Sequence, residues 1–155
     1  PPPPAAGGGG EAGPSNIDKH EDVKVFDPQG NLIDMQPLQT FSECPWPSAL
    51  QSEISKAGFT KPSQIQAFAW PIALKGNDVV GIAATGSGKT IAFMLPALVH
   101  MADQKPVTPK DNGPIALVLA PTRELALQTA KVCDALGSKV DVRNACVYGG
   151  MPKHL

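Results

Sequence analysis

Within eight residues, Ala83-Ala84-Thr85-Gly86-Ser87-Gly88-Lys89-Thr90 brings together two glycines, an ammonium group and a threonine hydroxyl. These are the groups that hold a polyphosphate. The pattern is a small residue, four of any kind, then Gly-Lys and Ser or Thr, with Ala83 in a first place more often held by Gly. Gly86 and Gly88 let the backbone turn tightly enough to aim successive N–H groups at phosphate oxygens, and a helix starting there adds its positive end. Lys89 then neutralises the terminal phosphates, and Thr90 offers its hydroxyl to Mg²⁺. An ordinary Gly-Ser turn produces such a run by chance in about one chain in a hundred of this length. The setting decides against that: an apolar run precedes the loop and a helical pattern follows it.

The elements that must position this loop are legible in the spacing. Ser48 to Gln51 is a Ser-x-x-Gln capping pattern that opens a helix with Leu50 and Ile54 on one face and Gly58 placed to stop it. A second such pattern, Ser63 to Gln66, opens a helix carrying Ile65, Phe68, Ala69 and Ile72, bent at Pro71 and ended at Gly76. Val79 to Ile82 reads as a short buried strand leading into the loop, and Ile91, Leu95, Leu98 and Val99 mark the helix after it. A second strand is expected at Ile115 to Ala120, a helix at Thr122 to Leu136 and a third strand at Val140 to Tyr148. Strands alternating with helices predict an α/β fold, a parallel sheet with flanking helices.

Composition bounds the rest. Of the 155 residues, 1 to 14 consist of Pro, Ala and Gly apart from Glu11, with no apolar side chain large enough to offset the entropy of ordering the backbone. Residues 1–40 are therefore expected to be a disordered or extended tail, and 41–155 the folded part. The tail holds two lysines against six carboxylates, and the remainder eleven Lys and Arg against eight. So small an excess of cations does not by itself indicate nucleic acid, and such a reading has to rest on placed residues. The three cysteines, Cys44, Cys133 and Cys146, form no C-x-x-C pair, which disfavours a disulfide framework or a zinc site and fits a reducing, intracellular setting. His20, His100 and His154 share no metal-like spacing. No apolar run approaches the ~20 residues needed to span a bilayer, and no membrane partner is expected.

Further motifs narrow the reading. Phe41, followed by Gly58-Phe59-Thr60-Lys61-Pro62-Ser63-Gln64-Ile65-Gln66, resembles the Q motif of the DEAD-box RNA helicases. Ala83 to Thr90 is similar to that family's motif I, in which Ala in the first place is usual. Pro121-Thr122-Arg123-Glu124-Leu125-Ala126 resembles motif Ia, and Gly149-Gly150 resembles the GG motif. The resemblance covers residues 41 to 150 in the family's order. It implies the front part of a first RecA-like domain, an incomplete P-loop NTPase domain, using ATP and Mg²⁺ and gripping single-stranded RNA by its backbone with little sequence specificity. Trp70-Pro71-Ile72-Ala73-Leu74 and Tyr148 to Lys153 resemble the nuclear subgroup related to the yeast helicase Dbp-two, which implies a nuclear location.

Chemistry supports parts of this independently. A glutamine amide can accept from adenine N6–H and donate to N7 at once, whereas guanine places an acceptor at O6. Gln66 is thus suited to read ATP over GTP, and the resemblance adds Phe59 stacking on the base with Phe41 supporting the pocket. The plainer alternative makes Phe59 core and Gln66 a helix cap. Arg123 is one of two arginines and stands at a helix start after a strand, where an anion binds. With Pro121 and Thr122 it forms an expected phosphate contact, which the resemblance assigns to RNA, as it does the close approach allowed by Gly149 and Gly150. Glu124 serves the helix dipole whatever the function.

The 155 residues contain neither Asp-Glu-Ala-Asp nor Ser-Ala-Thr. A partial record of a longer protein is therefore expected: marginally stable alone, and by itself neither hydrolysing ATP at family rates nor unwinding RNA. Two other functions fit parts of the pattern. One is an ATP-switched RNA clamp without unwinding; the other is a different P-loop NTPase, which would lack the Gln66 arrangement.

Overall fold

A computed structural model describes residues 23–150, apart from 109 and 112. Four α-helices stand where the spacing places them: α1 Ser48–Lys56, α2 Gln64–Ala73, α3 Lys89–Ala102 and α4 Arg123–Gly137. Helix α1 starts one residue earlier than its capping pattern implies. Pro47 is extended and its carbonyl accepts from Gln51 N at 3.0 Å, so Ser48 is the first helical residue rather than the cap. Helix α2 follows its pattern, with Ser63 as N-cap and the Gln66 carboxamide oxygen accepting from Ser63 N at 3.0 Å. Gly58 and Gly76, at φ +77° and +78°, take the left-handed conformation just past the ends of α1 and α2, where glycine alone is free of a Cβ penalty.

Helices α2 and α3 each carry an internal proline, Pro71 and Pro96. A proline has no N–H, so the carbonyl four residues earlier loses its helical partner. Those carbonyls belong to Ala67 and Ala92, and both are satisfied from outside their helix. Leu38 N donates to Ala67 O at 3.1 Å, and the Trp70 indole N–H donates to Ala92 O at 3.0 Å in a buried contact. The prolines thereby become docking points that tie the lead-in segment to α2 and α2 to α3. Around Trp70 the core closes with Leu50, Ile54, Leu95 and Leu98. Trp46 meets Trp70 edge-on at 4.9 Å, so both tryptophans are core.

The three runs read as strands, 79–82, 115–120 and 140–148, leave the helices as expected but are not joined by a backbone ladder among the described residues. Exposure alternates in degree along the first two, where Val79 and Val118 are 40% and 44% exposed beside more exposed neighbours. In the third, Val142, Cys146 and Tyr148 are partly buried while Arg143, Asn144 and Val147 are exposed. Val80, Ile82, Leu117, Leu119 and Val147 are 75 to 96% exposed. The helices cover one side of these runs and water reaches the other, whereas a parallel sheet forms where both faces are covered. Between α2, α3 and residues 79–81 and 118–120 a largely apolar cavity of about 330 Å³ remains, bordered by Lys89 and Thr90.

Order also begins before residue 41, so the tail expected over 1–40 is too long. A short antiparallel hairpin pairs β1 Val25–Phe26 with β2 Leu32–Ile33. Its turn is held by Asp27, whose carboxylate accepts from Gln29 N at 2.9 Å and Asn31 N at 2.8 Å. Leu38 packs on the core beyond it. The proline-rich stretch over 1–14 lies outside the described residues.

The contact between Trp70 and Ala92 predicts a specific rescue. Trp70→Phe should lower unfolding free energy by about 1–3 kcal/mol beyond its packing loss, because the Ala92 carbonyl is left buried and unpaired. Adding Pro96→Ala restores a helical N–H to that carbonyl and should recover part of the loss in urea denaturation. Strictly additive effects of the two substitutions would show that the carbonyl does not link them.

Candidate nucleotide and anion site

Lys89 is the first residue of α3, so the loop and the free N–H groups of that helix share one place. Gly86 and Gly88 take φ +80° and +88°, a conformation costly for any residue with a Cβ. Gly88 is constrained by its surroundings as well. A Cβ there would lie 2.5 Å from Gln66 Nε2 and 3.0 Å from Ser63 Oγ. The Lys89 ammonium donates to the carbonyls of Ala83 and Ala84, each at 2.6 Å, which leaves one of its three N–H bonds for another acceptor. Ser87 Oγ is buried without a hydrogen-bond partner among the described residues. Thr90 is partly buried and Thr85 exposed. An ammonium, a hydroxyl lacking a partner and a helix N-terminus around two left-handed glycines form a donor set that fits a phosphate chain.

Gln66 is buried, at 5% exposure, and joins this loop to α2. Its oxygen accepts from Ser63 N, and its Nε2 donates to Gly88 O at 3.1 Å. One turn further along both helices, Trp70 donates to Ala92 O. Two side chains of α2 thus bond successive turns of the α3 backbone, and the pair fixes where the loop sits. The capping role of Gln66 is real, but its amide retains one N–H and one lone pair. Close by, Phe41 lies in a 3₁₀ turn over Phe41–Glu43 and is buried against Trp70, with ring centroids 5.4 Å apart. Phe59 sits 6.4 Å from Phe41 and is 49% exposed. The two phenylalanines therefore differ: Phe41 is core, and Phe59 presents half its surface to solvent.

A second candidate anion site lies at the start of α4. Thr122 is the N-cap, and its Oγ1 accepts from Leu125 N at 3.3 Å. Its hydroxyl hydrogen stays available as a donor. Pro121 is exposed. Arg123 lies over the Tyr148 ring, with the guanidinium carbon 4.5 Å from the centroid. Gly149 and Gly150 follow in a turn, with Gly150 at φ +83° and nothing within 4 Å of a Cβ built on either glycine. The sequence singles out Arg123 and, through the family resemblance, the glycine pair, but not the ring between them; the one signal is an aromatic residue directly before Gly-Gly.

Comparisons with known proteins bear on the family and the fold. The family model for DEAD/DEAH box helicases matches residues 63–155, more than half of the chain. Over 118 residues the chain is 54% identical to the probable ATP-dependent RNA helicase ddx17 of Dictyostelium discoideum, covering 76% of this chain and 15% of that protein. It is 50% identical to the ATP-dependent RNA helicase DBP2 of Eremothecium gossypii, covering 76% and 21%. The chain thus spans about a fifth of the length of these relatives. Among solved structures it resembles the RNA helicase Prp28 from Chaetomium thermophilum bound to ADP, with TM-score 0.69 and 36% identity over 77% of this chain and 29% of that one. A DEAD box protein from Methanococcus jannaschii gives TM-score 0.59 at 31% identity, over 76% and 31%. The fold class is therefore the RecA-like α/β arrangement that the family resemblance implied, and the chain belongs to the DEAD/DEAH box helicase family, beside relatives of the DBP2 type.

Proposed function

We propose that this chain holds ATP between the Gln66 segment and the phosphate loop, and grips the backbone of single-stranded RNA at the start of α4, as part of an ATP-dependent RNA helicase. The observation that carries the first half is the Gln66–Gly88 contact. It sets the remaining donor and acceptor of the amide at a fixed distance from the loop. Those two atoms can take adenine N7 and N6–H, and the half-exposed Phe59 ring offers a face to the base. The third N–H of Lys89 and the backbone N–H groups of residues 86–90 meet the phosphates. Thr90 is the side chain placed to hold Mg²⁺, which when bound supplies charge neutralisation at the phosphate oxygens.

At the other arrangement, the N-terminus of α4, the Thr122 hydroxyl and the Arg123 guanidinium converge on one anion, and the open Gly149-Gly150 turn admits a chain beside it. None of these groups is suited to tell one base from another, so the grip is on phosphate and independent of sequence.

Three outcomes test the proposal in the 155-residue chain. Gln66→Glu should reduce the preference for ATP over GTP by about 1–3 kcal/mol, one bidentate base contact, in titrations with fluorescent nucleotides; an unchanged preference refutes the base-reading role. Gly88→Ala should lower the unfolding free energy by about 1–2 kcal/mol, the strain of a left-handed alanine, and weaken ATP binding because the loop moves away from that conformation. It should also erode the ATP preference, because the new methyl group displaces Gln66. Arg123→Ala should weaken binding of U₁₀ and A₁₀ RNA equally and reduce the dependence of log affinity on log salt by about one contact. A loss confined to one sequence would mean that Arg123 reads bases.

A further inference from the structure

We infer that Tyr148 is a positioning residue for RNA binding: its ring holds the Arg123 guanidinium flat and aims its N–H edge at the phosphate. The inference rests on the reading of Arg123 as a backbone contact. Arginine has a long, flexible side chain, and a surface guanidinium left to itself samples many directions. Among the described residues Arg123 makes no ion pair. The nearest recorded partner of its charge is the π-face of Tyr148, at 4.5 Å. A cation over a ring face is held by the ring's quadrupole rather than by a hydrogen-bond acceptor, so the contact positions the group and leaves its donors unpaired with any acceptor there.

The ring can do this because it is anchored to the helix that carries Arg123. Val142 N donates to Gly137 O at 2.9 Å, and Asn144 Nδ2 donates to Asp134 Oδ1 at 2.6 Å. Both bonds fasten the 140–148 segment to the C-terminal half of α4. Tyr148 itself is partly buried, and the chain turns at Gly149-Gly150 immediately after it. The ring therefore joins the two segments that meet the phosphate backbone, and it sets the distance between the arginine and the glycine turn. A lysine at position 123 would keep the charge but not the flat stack.

The test is fluorescence anisotropy of labelled U₁₀ RNA with the full chain and five variants. Arg123→Ala weakens binding and sets the reference. Tyr148→Leu should weaken binding roughly two- to five-fold, the range of an exposed cation–π contact. Tyr148→Phe should bind as the unaltered chain does, since the ring and not the hydroxyl acts. Added to Arg123→Ala, Tyr148→Leu should cost nothing more. The inference is overturned if Tyr148→Leu binds normally, if its loss persists beside Arg123→Ala, or if Tyr148→Phe behaves like Tyr148→Leu. If Arg123→Ala itself leaves affinity unchanged, the backbone-contact reading falls first, and with it any role for the ring. Should Tyr148→Leu fail to fold, Arg123→Lys, which keeps the charge, should show the same two- to five-fold loss, and normal binding by it overturns the inference.

Discussion

The hydrogen bond from the Trp70 indole to the Ala92 carbonyl depends on a missing N–H, that of Pro96. Around it the α2–α3 pair takes its register, and the nucleotide site inherits that register one turn away. Gln66 stands four residues before Trp70, and Gly88 four residues before Ala92, so the lower contact repeats the upper one at the level of the phosphate loop. The deep end of this two-rung connection is buried and apolar, and the shallow end is polar. The core contact and the proposed recognition contact therefore lie on adjacent turns of the same two helices. The aromatic layer continues the division: Phe41 and Trp46 pack on Trp70 in the core, while Phe59, beyond Phe41, reaches solvent.

Much of this was legible from residue order. Helical spacing, the capping pattern at Ser63 and the glycines at 58 and 76 locate three of the helix boundaries because they are local signals with local causes. The phosphate loop is legible for the same reason: its chemistry is contained in eight consecutive residues. What spacing does not reveal are the contacts between distant elements. Nothing in the order of residues says that the carbonyl freed by Pro71 faces Leu38, or that the one freed by Pro96 faces Trp70. Pro71 could be read as a bend, but its partner across the chain could not. Arg123 and Tyr148 are likewise 25 residues apart and meet only because the 140–148 segment folds back along α4. The start of order before Phe41 escaped for a different reason. The hairpin at 25–33 has two residues per strand and depends on the Asp27 carboxylate rather than on a hydrophobic pattern.

The two candidate anion sites are built differently. At the phosphate loop the glycines shape the backbone, and one of them is locked by a neighbouring side chain. At the start of α4 the glycines are in the open, and the shaping falls to an aromatic ring beneath an arginine. The first suits a compact, highly charged group, with donors gathered around two left-handed glycines. The second suits a repeating chain of single charges that must be held without reading what hangs from it.

The alternation along the extended runs has a consequence for how such a chain meets other macromolecules while it is being made. Val80 and Ile82, then Leu117 and Leu119, then Val147 present apolar side chains to water at every second position. Each is a short extended stretch with one greasy edge, the form in which chaperones of the peptide-groove type engage their clients. The core around Trp70 runs from Leu38 in the lead-in to Cys133 in α4, so it closes only after the runs at 79–82 and 115–120 have been made. Until α4 arrives, the apolar positions of those two runs meet water with no closed core behind them.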